Sequence, residues 1–289
     1  MDTAPRPAPL PALFVSHGSP MLAIEPGATG AFLSRLGPAI DATFGRPRAI
    51  VVVSPHTAAP RPVVLDSAAH HAVHDFGGFP DALYALRYAP PGEPSVAQRV
   101  MDLLTAAGLQ PQRSSEAGLD HGIWAPLRFA WPDADVPVVP VALSPQQPPA
   151  AQWALGEALA PLRAEGVLLL ASGSLTHDLR RLFAVRPMPA TNAPEIAETA
   201  AFRAWVAERS AARDRDALLD YRSAAPHGAA MHPTDEHWLP FYIAAGAGGM
   251  ENAPVRLHEG VTYGSLAMDA YAFGEGAESL VRHLAPLSV

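Results

Sequence analysis

Three apolar segments of this 289-residue chain each run into a serine and then a histidine. They read "LFVSHG", "VVVSPH" and "LLLASGSLTH", and they deliver His17, His56 and His177. Val- and Leu-rich runs without alternation are typical of central strands that are covered on both faces. Similar exits from neighbouring strands would bring the three side chains to one edge of a shared sheet, where ligands bind in open α/β folds. Converging imidazoles are what a metal site requires, although any one of these histidines alone could be a buried structural residue.

Apolar strand-like runs alternate with helix-like segments along the chain. We predict strands at 12–18, 49–56, 137–144, 166–174 and 263–273, and helices at 94–108, 150–166 and 193–221, with a short final helix after Phe273. This alternation predicts a single-domain α/β fold with a central mixed β-sheet flanked by helices and a metal site at the strand ends. No repeat or linker divides the chain, so we expect one catalytic domain over 1–289, in which 1–10 form a flexible, proline-rich N-terminus.

Composition excludes several classes of function. The net charge is −8 and Lys and Arg do not cluster, which argues against nucleic acid or an anionic membrane as a partner. Cysteine is absent, so disulfides, thiolate metal sites and cysteine nucleophiles are impossible. No signal peptide and no apolar stretch of ~18 residues is evident, and together with the lack of cysteine this leads us to expect a cytoplasmic protein.

Other histidines occupy segments with less regular patterns. His121 lies in "GLDHG" and could be either a functional residue or part of a flexible loop. His237 lies in "HPTDEHWLP", where Pro233 suggests the start of a helix. His237 would then lie one turn into that helix and face either the core or the functional site. His74 belongs to "HHAVHDFGGFP", a shaped loop that could line a pocket or be a polar surface loop. We expect the remaining loop and terminal histidines to be structural or solvated: His227, His232, His258 and His283.

Seven segments in a fixed order resemble the DODA-type members of the class III extradiol ring-cleavage dioxygenases, relatives of the catalytic subunit of protocatechuate 4,5-dioxygenase. They span about residues 13–273 and read "SHGSPML", "VVVSPH", "HDFGGFPDALYALRYAPPG", "GLDHGIWAPLR", "ASGSLTHDLR", "HPTDEHWLP" and "YGSLAMDAYAF". The resemblance implies a mixed sheet flanked by helices, with a non-haem metal at the strand ends.

The same resemblance implies roles for individual residues. His17, His56 and His237 match metal ligands, and Glu236 is the alternative third ligand because the protocatechuate branch uses a glutamate there. His177 matches an acid/base histidine that can also act as a fourth zinc ligand, and His121 matches a second catalytic histidine of the substrate pocket. We further expect His74, Phe76, Phe79 and Tyr263 to line that pocket.

The implied activity is Fe(II)-dependent insertion of O₂ into the ring of a small catechol, DOPA-like or other, to give a ring-opened semialdehyde. Zn(II) is expected in the purified protein, because zinc binds such sites more tightly than iron(II). Two alternatives remain: a zinc-dependent hydrolase that activates water, and a non-catalytic metal-binding interaction protein on the same fold.

Overall fold

The structure is a computed structural model that describes residues 8–284. Residues 1–7 of the expected flexible N-terminus lie outside the described residues. Leu10, at the end of that segment, is buried, and its backbone N–H donates to the carbonyl of Arg163 at 3.2 Å.

A six-stranded mixed sheet forms the centre of the fold. The strands of the protein are β1 (Ala12–Ser16), β2 (Ala49–Val53), β3 (Val63–Leu65), β4 (His71–Ala72), β5 (Gln112–Ser114), β6 (Gly118–Leu119), β7 (Val138–Pro140), β8 (Val167–Gly173), β9 (Val255–His258), β10 (Val261–Thr262), β11 (Leu266–Ala267) and β12 (Ala270–Phe273). The strand order in the central sheet is β7-β2-β8-β1-β12-β9. The predicted α/β class and central mixed sheet are therefore confirmed.

The four strands that the sequence marks as fully buried form the parallel half of this sheet. β8 pairs in parallel with both β1 and β2, and β2 pairs in parallel with β7. β12 runs antiparallel to β1, which makes the sheet mixed. Since β1, β8 and β2 are neighbours and parallel, their carboxyl ends share one edge.

Helices cover both faces of the sheet. They are α1 (Gly27–Phe44), α2 (Asp81–Tyr84), α3 (Pro94–Ala106), α4 (His121–Ala130), α5 (Pro149–Leu159), α6 (Leu179–Ala184), α7 (Ala197–Ala211), α8 (Arg215–Leu219), α9 (Tyr221–Ala224), α10 (Gly228–Met231), α11 (Leu239–Gly248) and α12 (Ala277–Leu284). Within residues 8–284, no helix combines the length and apolar character that crossing a bilayer requires.

Alternate strand residues point into two separate cores, as the period of two in a strand dictates. Phe14 and Leu169 join the core beneath α3, α5, α7 and α11. Leu13 and Leu170 join the core beneath α1, α4 and α12. The sheet is thus buried on both sides, which explains why its strands read as continuous apolar runs.

One helix was missed and two predicted elements were wrong. No helix was predicted over α1, because Gly30, Gly37 and Pro38 hide the helical pattern there. The predicted helix at 193–221 is broken into α7, α8 and α9, because Arg213 takes a left-handed conformation (φ 57°) and Asp214 then caps α8. The predicted strand at 263–273 is interrupted, and only β11 and β12 remain.

Glycines bring α5 and α11 into backbone contact. A Cβ added at Gly156 would overlap the carbonyl oxygen of Ile243, and one at Gly246 would overlap that of Trp153. Neither position allows a side chain unless the two helices separate. This close crossing holds α11 against the sheet, directly after the segment that carries His237.

We predict that Gly246→Ala destabilises the protein by about 1–3 kcal/mol, because the added methyl group overpacks the α5–α11 crossing. Gly77→Ala is the matched control, since nothing lies within 4 Å of a Cβ there, and it should change stability by less than about 0.5 kcal/mol. Urea unfolding of both variants measures the difference. Equal midpoints would contradict this account of the helix crossing.

Candidate metal centre and active site

His17 is the first residue after β1, and the backbone fixes its position. Its N–H donates to the carbonyl of Gly173 at 2.9 Å, which extends the β1–β8 pairing by one step. The side chain is buried, with 1% of its surface exposed. Gly18 then turns the chain in a left-handed conformation (φ 60°), and a Cβ at this position would lie 2.7 Å from the Met268 sulfur. The sequence therefore needs glycine directly after this histidine.

Three imidazoles meet at the sheet edge. The Nε2 atom of His56 lies 3.2 Å from Nε2 of His17 and 3.3 Å from Nε2 of His237. Side-chain nitrogens of these three residues form one of the groups whose geometry could hold a metal ion. His17 and His237 are buried, whereas 26% of the His56 side chain is exposed.

The surrounding hydrogen bonds determine which nitrogens carry hydrogen. The Ser172 hydroxyl donates to the carbonyl of Gly122, so its oxygen accepts from Nδ1–H of His17 at 2.9 Å. A carboxylate can only accept, so Nδ1 of His237 donates to Glu236 at 3.2 Å. Both rings therefore carry hydrogen on Nδ1 and present an Nε2 lone pair to the shared point.

Burial keeps these imidazoles neutral. It lowers the pKa of His17 and of His237 well below the usual value, and the neighbouring histidines lower both further. Burial also lowers the pKa of His56 to about 4, with a further contribution from His121. Neutral imidazoles with lone pairs aimed at one point are the donor set that a divalent transition metal prefers. The residues present therefore fit the metal that the sequence predicts.

His237 reaches this point from a turn and not from a helix. Residues 233–238 form bends and turns, and α11 begins only at Leu239, so the prediction of a helix start at Pro233 was wrong. The carbonyl of His237 accepts from the backbone N–H of Ser174 at 2.9 Å. A Cβ at Gly173 would overlap this carbonyl. Gly173 is thus needed because the backbone of His237 approaches it closely.

His177 packs directly on His237. Their ring centroids lie 3.4 Å apart with planes 11° from parallel. Burial, followed by the proximity of His232, lowers the pKa of His177 to about 4. The next residue, Asp178, caps α6 by accepting from the N–H of Arg181.

His121 is the first residue of α4 and is buried, so the flexible-loop alternative was wrong. Asp75 holds it: Nδ1 of His121 lies 3.0 Å from each carboxylate oxygen, and the backbone N–H of His121 donates to Oδ1 at 2.9 Å. Burial acts to raise the pKa of Asp75, but these contacts with His121 outweigh it and lower the pKa. The ring of His121 lies 4.1 Å from that of His56, centroid to centroid.

A cavity of about 290 Å³ opens beside the histidines. Its lining residues include His56, His121, His177, His237, Phe76, Phe79, Tyr263, Leu182 and Leu266. His74 does not line it. Its ring packs behind Phe76, at 5.7 Å between centroids, and against Trp124 at 5.9 Å.

Four further histidines lie outside this site and contact other parts of the protein. His232 is fully buried and donates from Nε2 to the carbonyl of Leu175, and His258 stacks on Phe32. His227 caps α10 in a left-handed conformation, and His283 contacts Thr43 on the surface.

Several polar residues that support the site were not identified from the sequence. Ser172 orients His17, and Asp75 holds His121. Asp120 accepts from the hydroxyls of Ser54 at 2.7 Å and Thr57 at 2.6 Å, on either side of His56. Of these residues, only Asp75 could have been identified from its local sequence, because it lies in the distinctive "HDFGG" loop. Ser172 and Asp120 could not, because Ser and Asp are common near strand ends.

The chain matches the family model described as the catalytic LigB subunit of aromatic ring-opening dioxygenase, over residues 11–274. A 4,5-DOPA dioxygenase extradiol of Escherichia coli K12 is 37% identical over 271 residues, which cover 92% of this chain and 95% of the relative. One of Beta vulgaris with the same description is 33% identical over 267 residues, covering 90% of this chain and 95% of the relative.

A solved structure has a similar fold. The crystal structure of an uncharacterised Escherichia coli K12 protein superposes with a TM-score of 0.73 at 30% sequence identity, and it covers 92% of this chain and all of that one.

We predict that alanine at His17, His56 or His237 each lowers bound metal to a small fraction of the wild-type content, because two imidazoles bind a divalent ion far more weakly than three. His283→Ala is the control and should keep the wild-type content. Metal analysis after loading with Zn(II) or Fe(II) and desalting measures this. Full occupancy in the three alanine variants would refute the ligand set.

Proposed function

We propose a specific reaction for this chain, which belongs to the family of the catalytic LigB subunit of aromatic ring-opening dioxygenases. The proposed function is that of an Fe(II)-dependent extradiol dioxygenase of small catechols. Membership makes it an aromatic ring-opening oxidoreductase. The observation that carries the finer proposal is the convergence of three neutral Nε2 donors beside a cavity with aromatic walls.

His17, His56 and His237 are the proposed metal ligands. Fe(II), when bound, would supply the redox-active centre that spin-paired catechols need in order to react with O₂, with coordination positions left open by a three-residue ligand set. The contact between Glu236 and Nδ1 of His237 supports an orienting role for Glu236 and argues against its being the third ligand.

His177 is the proposed acid/base residue. A catechol must lose protons to bind a metal through both oxygens, so a neutral base has to stand close by. The low pKa of His177 keeps it neutral at physiological pH, and it lines the cavity beside His237. Its imidazole can therefore accept a phenolic proton and return it at a later step.

His121 is proposed to orient the substrate. Asp75 accepts the hydrogen on Nδ1 of His121, which leaves Nε2 as a hydrogen-bond acceptor for a substrate hydroxyl. The three contacts from one carboxylate also prevent the ring from rotating. Asp75 acts through His121 and is a positioning residue.

The aromatic wall provides the apolar part of the site. Phe76 packs edge-to-face on Phe79 at 5.2 Å and on His121 at 5.6 Å between centroids. Such a wall suits a flat aromatic ring and excludes water from the reacting atoms. These contacts support Phe76 and Phe79 as substrate-pocket residues.

Anaerobic loading with Fe(II), followed by a panel of catechols and O₂, tests the activity. We expect O₂ uptake in proportion to substrate and a yellow ring-opened product, with the same protein loaded with Zn(II) as the inactive control, because zinc has no accessible second oxidation state. Zinc-supported ester or amide hydrolysis without O₂ uptake would favour the hydrolase. Metal binding without turnover of any tested compound would favour the interaction protein.

We predict that His177→Ala keeps its metal but loses about 10²–10⁴ in turnover, the usual loss on removing a positioned general base. His121→Ala should weaken substrate binding and turnover together, because the substrate would lose its orienting contact. His283→Ala should behave as wild type. Oxygen uptake with metal content measured in parallel separates these outcomes. Loss of metal in His177→Ala would make His177 a fourth ligand, and unchanged turnover would place the base elsewhere.

A further inference from the structure

A second cavity, of about 250 Å³, adjoins the one beside the histidines. Ser19, Met21 and Tyr263 line both cavities, so the two cavities are neighbours that meet at these side chains. The second cavity extends away from the metal ligands, between the start of α1 and the β10–β11 hairpin. Its other lining residues include Glu25, Ala28, Thr29, Thr191, Asn192 and Thr262.

Tyr263, at the boundary between the cavities, has an unusual backbone. It takes a left-handed conformation (φ 56°), which is uncommon for a bulky residue, and Gly264 follows at φ 72°. Its N–H donates to the carbonyl of Thr191 at 3.0 Å, and its side chain is buried. Strained residues of this kind cluster at ligand sites, where the surrounding structure holds them.

Glu25 is the carboxylate of this region, and its side chain is exposed. Among the described residues that line the two cavities there is no lysine, no arginine and no other carboxylate. The Thr191 hydroxyl donates to Oε2 of Glu25 at 3.4 Å, and a neutral donor does not cancel the negative charge. The first turn of α1 also lines the cavity, but a helix N-terminus carries only about half a positive charge, so the full charge of Glu25 dominates.

We propose that this second cavity receives the substituent of the catechol ring and that Glu25 selects substituents that end in a cation, such as a primary ammonium group. The aromatic ring would lie against Phe76 and His121, and the chain attached to it would pass Tyr263 into the second cavity. This substrate class rests on the proposed function. Glu25 is thus a specificity-determining residue that lines the second cavity and not the cavity beside the histidines.

Binding of phenols that cannot be ring-cleaved tests this proposal independently of turnover. The probes are unsubstituted phenol and three phenols with a para-propyl chain that ends in an ammonium, a carboxylate or a methyl group. Calorimetry on the zinc-loaded protein gives the four dissociation constants. The proteins compared are wild type, Glu25→Gln and Glu116→Gln, the last being an exposed glutamate that lines neither cavity.

We expect wild type to bind the ammonium probe about two- to fivefold more tightly than the methyl probe, the upper part of the range for an exposed ion pair. The carboxylate probe should bind most weakly of the three. Glu25→Gln should abolish this ranking, and Glu116→Gln should retain it. Equal affinities in wild type, or the same ranking in Glu25→Gln, would overturn the proposed selection.

A second variant tests whether the chain enters the cavity at all. Ala28→Phe fills the space beside Glu25 and should weaken binding of all three chain-bearing probes relative to phenol. Unchanged relative affinities would overturn the cavity assignment. Failure of the dioxygenase proposal would instead appear as absence of O₂ uptake with every catechol. The two failures are distinguishable, because the dissociation constants are measured without turnover.

Discussion

The structure around the site depends on three imidazoles crowded at one point, where Nε2 of His56 lies 3.2 Å from Nε2 of His17 and 3.3 Å from Nε2 of His237. Lone pairs directed at one another across such distances repel, and the scaffold holds the rings in place against that repulsion. The scaffold consists of parallel strands whose ends share an edge, one backbone hydrogen bond from His17 to β8, and side chains that fix the Nδ1 hydrogens. Burial prevents the rings from avoiding the repulsion by protonation.

A polar layer behind the histidines connects the strand exits to α4. Asp120 is buried, and burial raises its pKa even though the hydroxyls of Thr57 and Ser54 donate to it. It precedes His121, the first residue of the helix, and its two donors flank His56. A Cβ at Gly122 would lie 2.5 Å from the Ser54 hydroxyl and 3.0 Å from Cε1 of His17. The start of α4 is therefore packed directly against His17 and the strand end that carries His56.

Much of the fold and the candidate site could be predicted because the signals are local. Continuous apolar runs indicate buried parallel strands, and a histidine after each run then falls at the shared edge. The remainder depends on contacts between distant segments. Ser172 and Asp75 gain their importance from residues 155 and 46 positions away. α1 was missed because its glycine and proline lower helix propensity, and tertiary packing compensates for that loss.

The position of the site between the two cores has a consequence for how the protein unfolds. His121 belongs to α4, in one helical layer, whereas His237 lies two residues before the start of α11, in the other. An ion held by His17, His56 and His237 would bridge the sheet edge to the α11 layer, and the contacts between His121 and His56 would link it to the α4 layer. Ligand binding to the native state alone adds stability in proportion to the logarithm of ligand concentration. Occupancy of this site would therefore couple the two layers into one cooperative unit. The melting temperature of the whole domain would then rise with the occupancy of three imidazole nitrogens at the edge of its sheet.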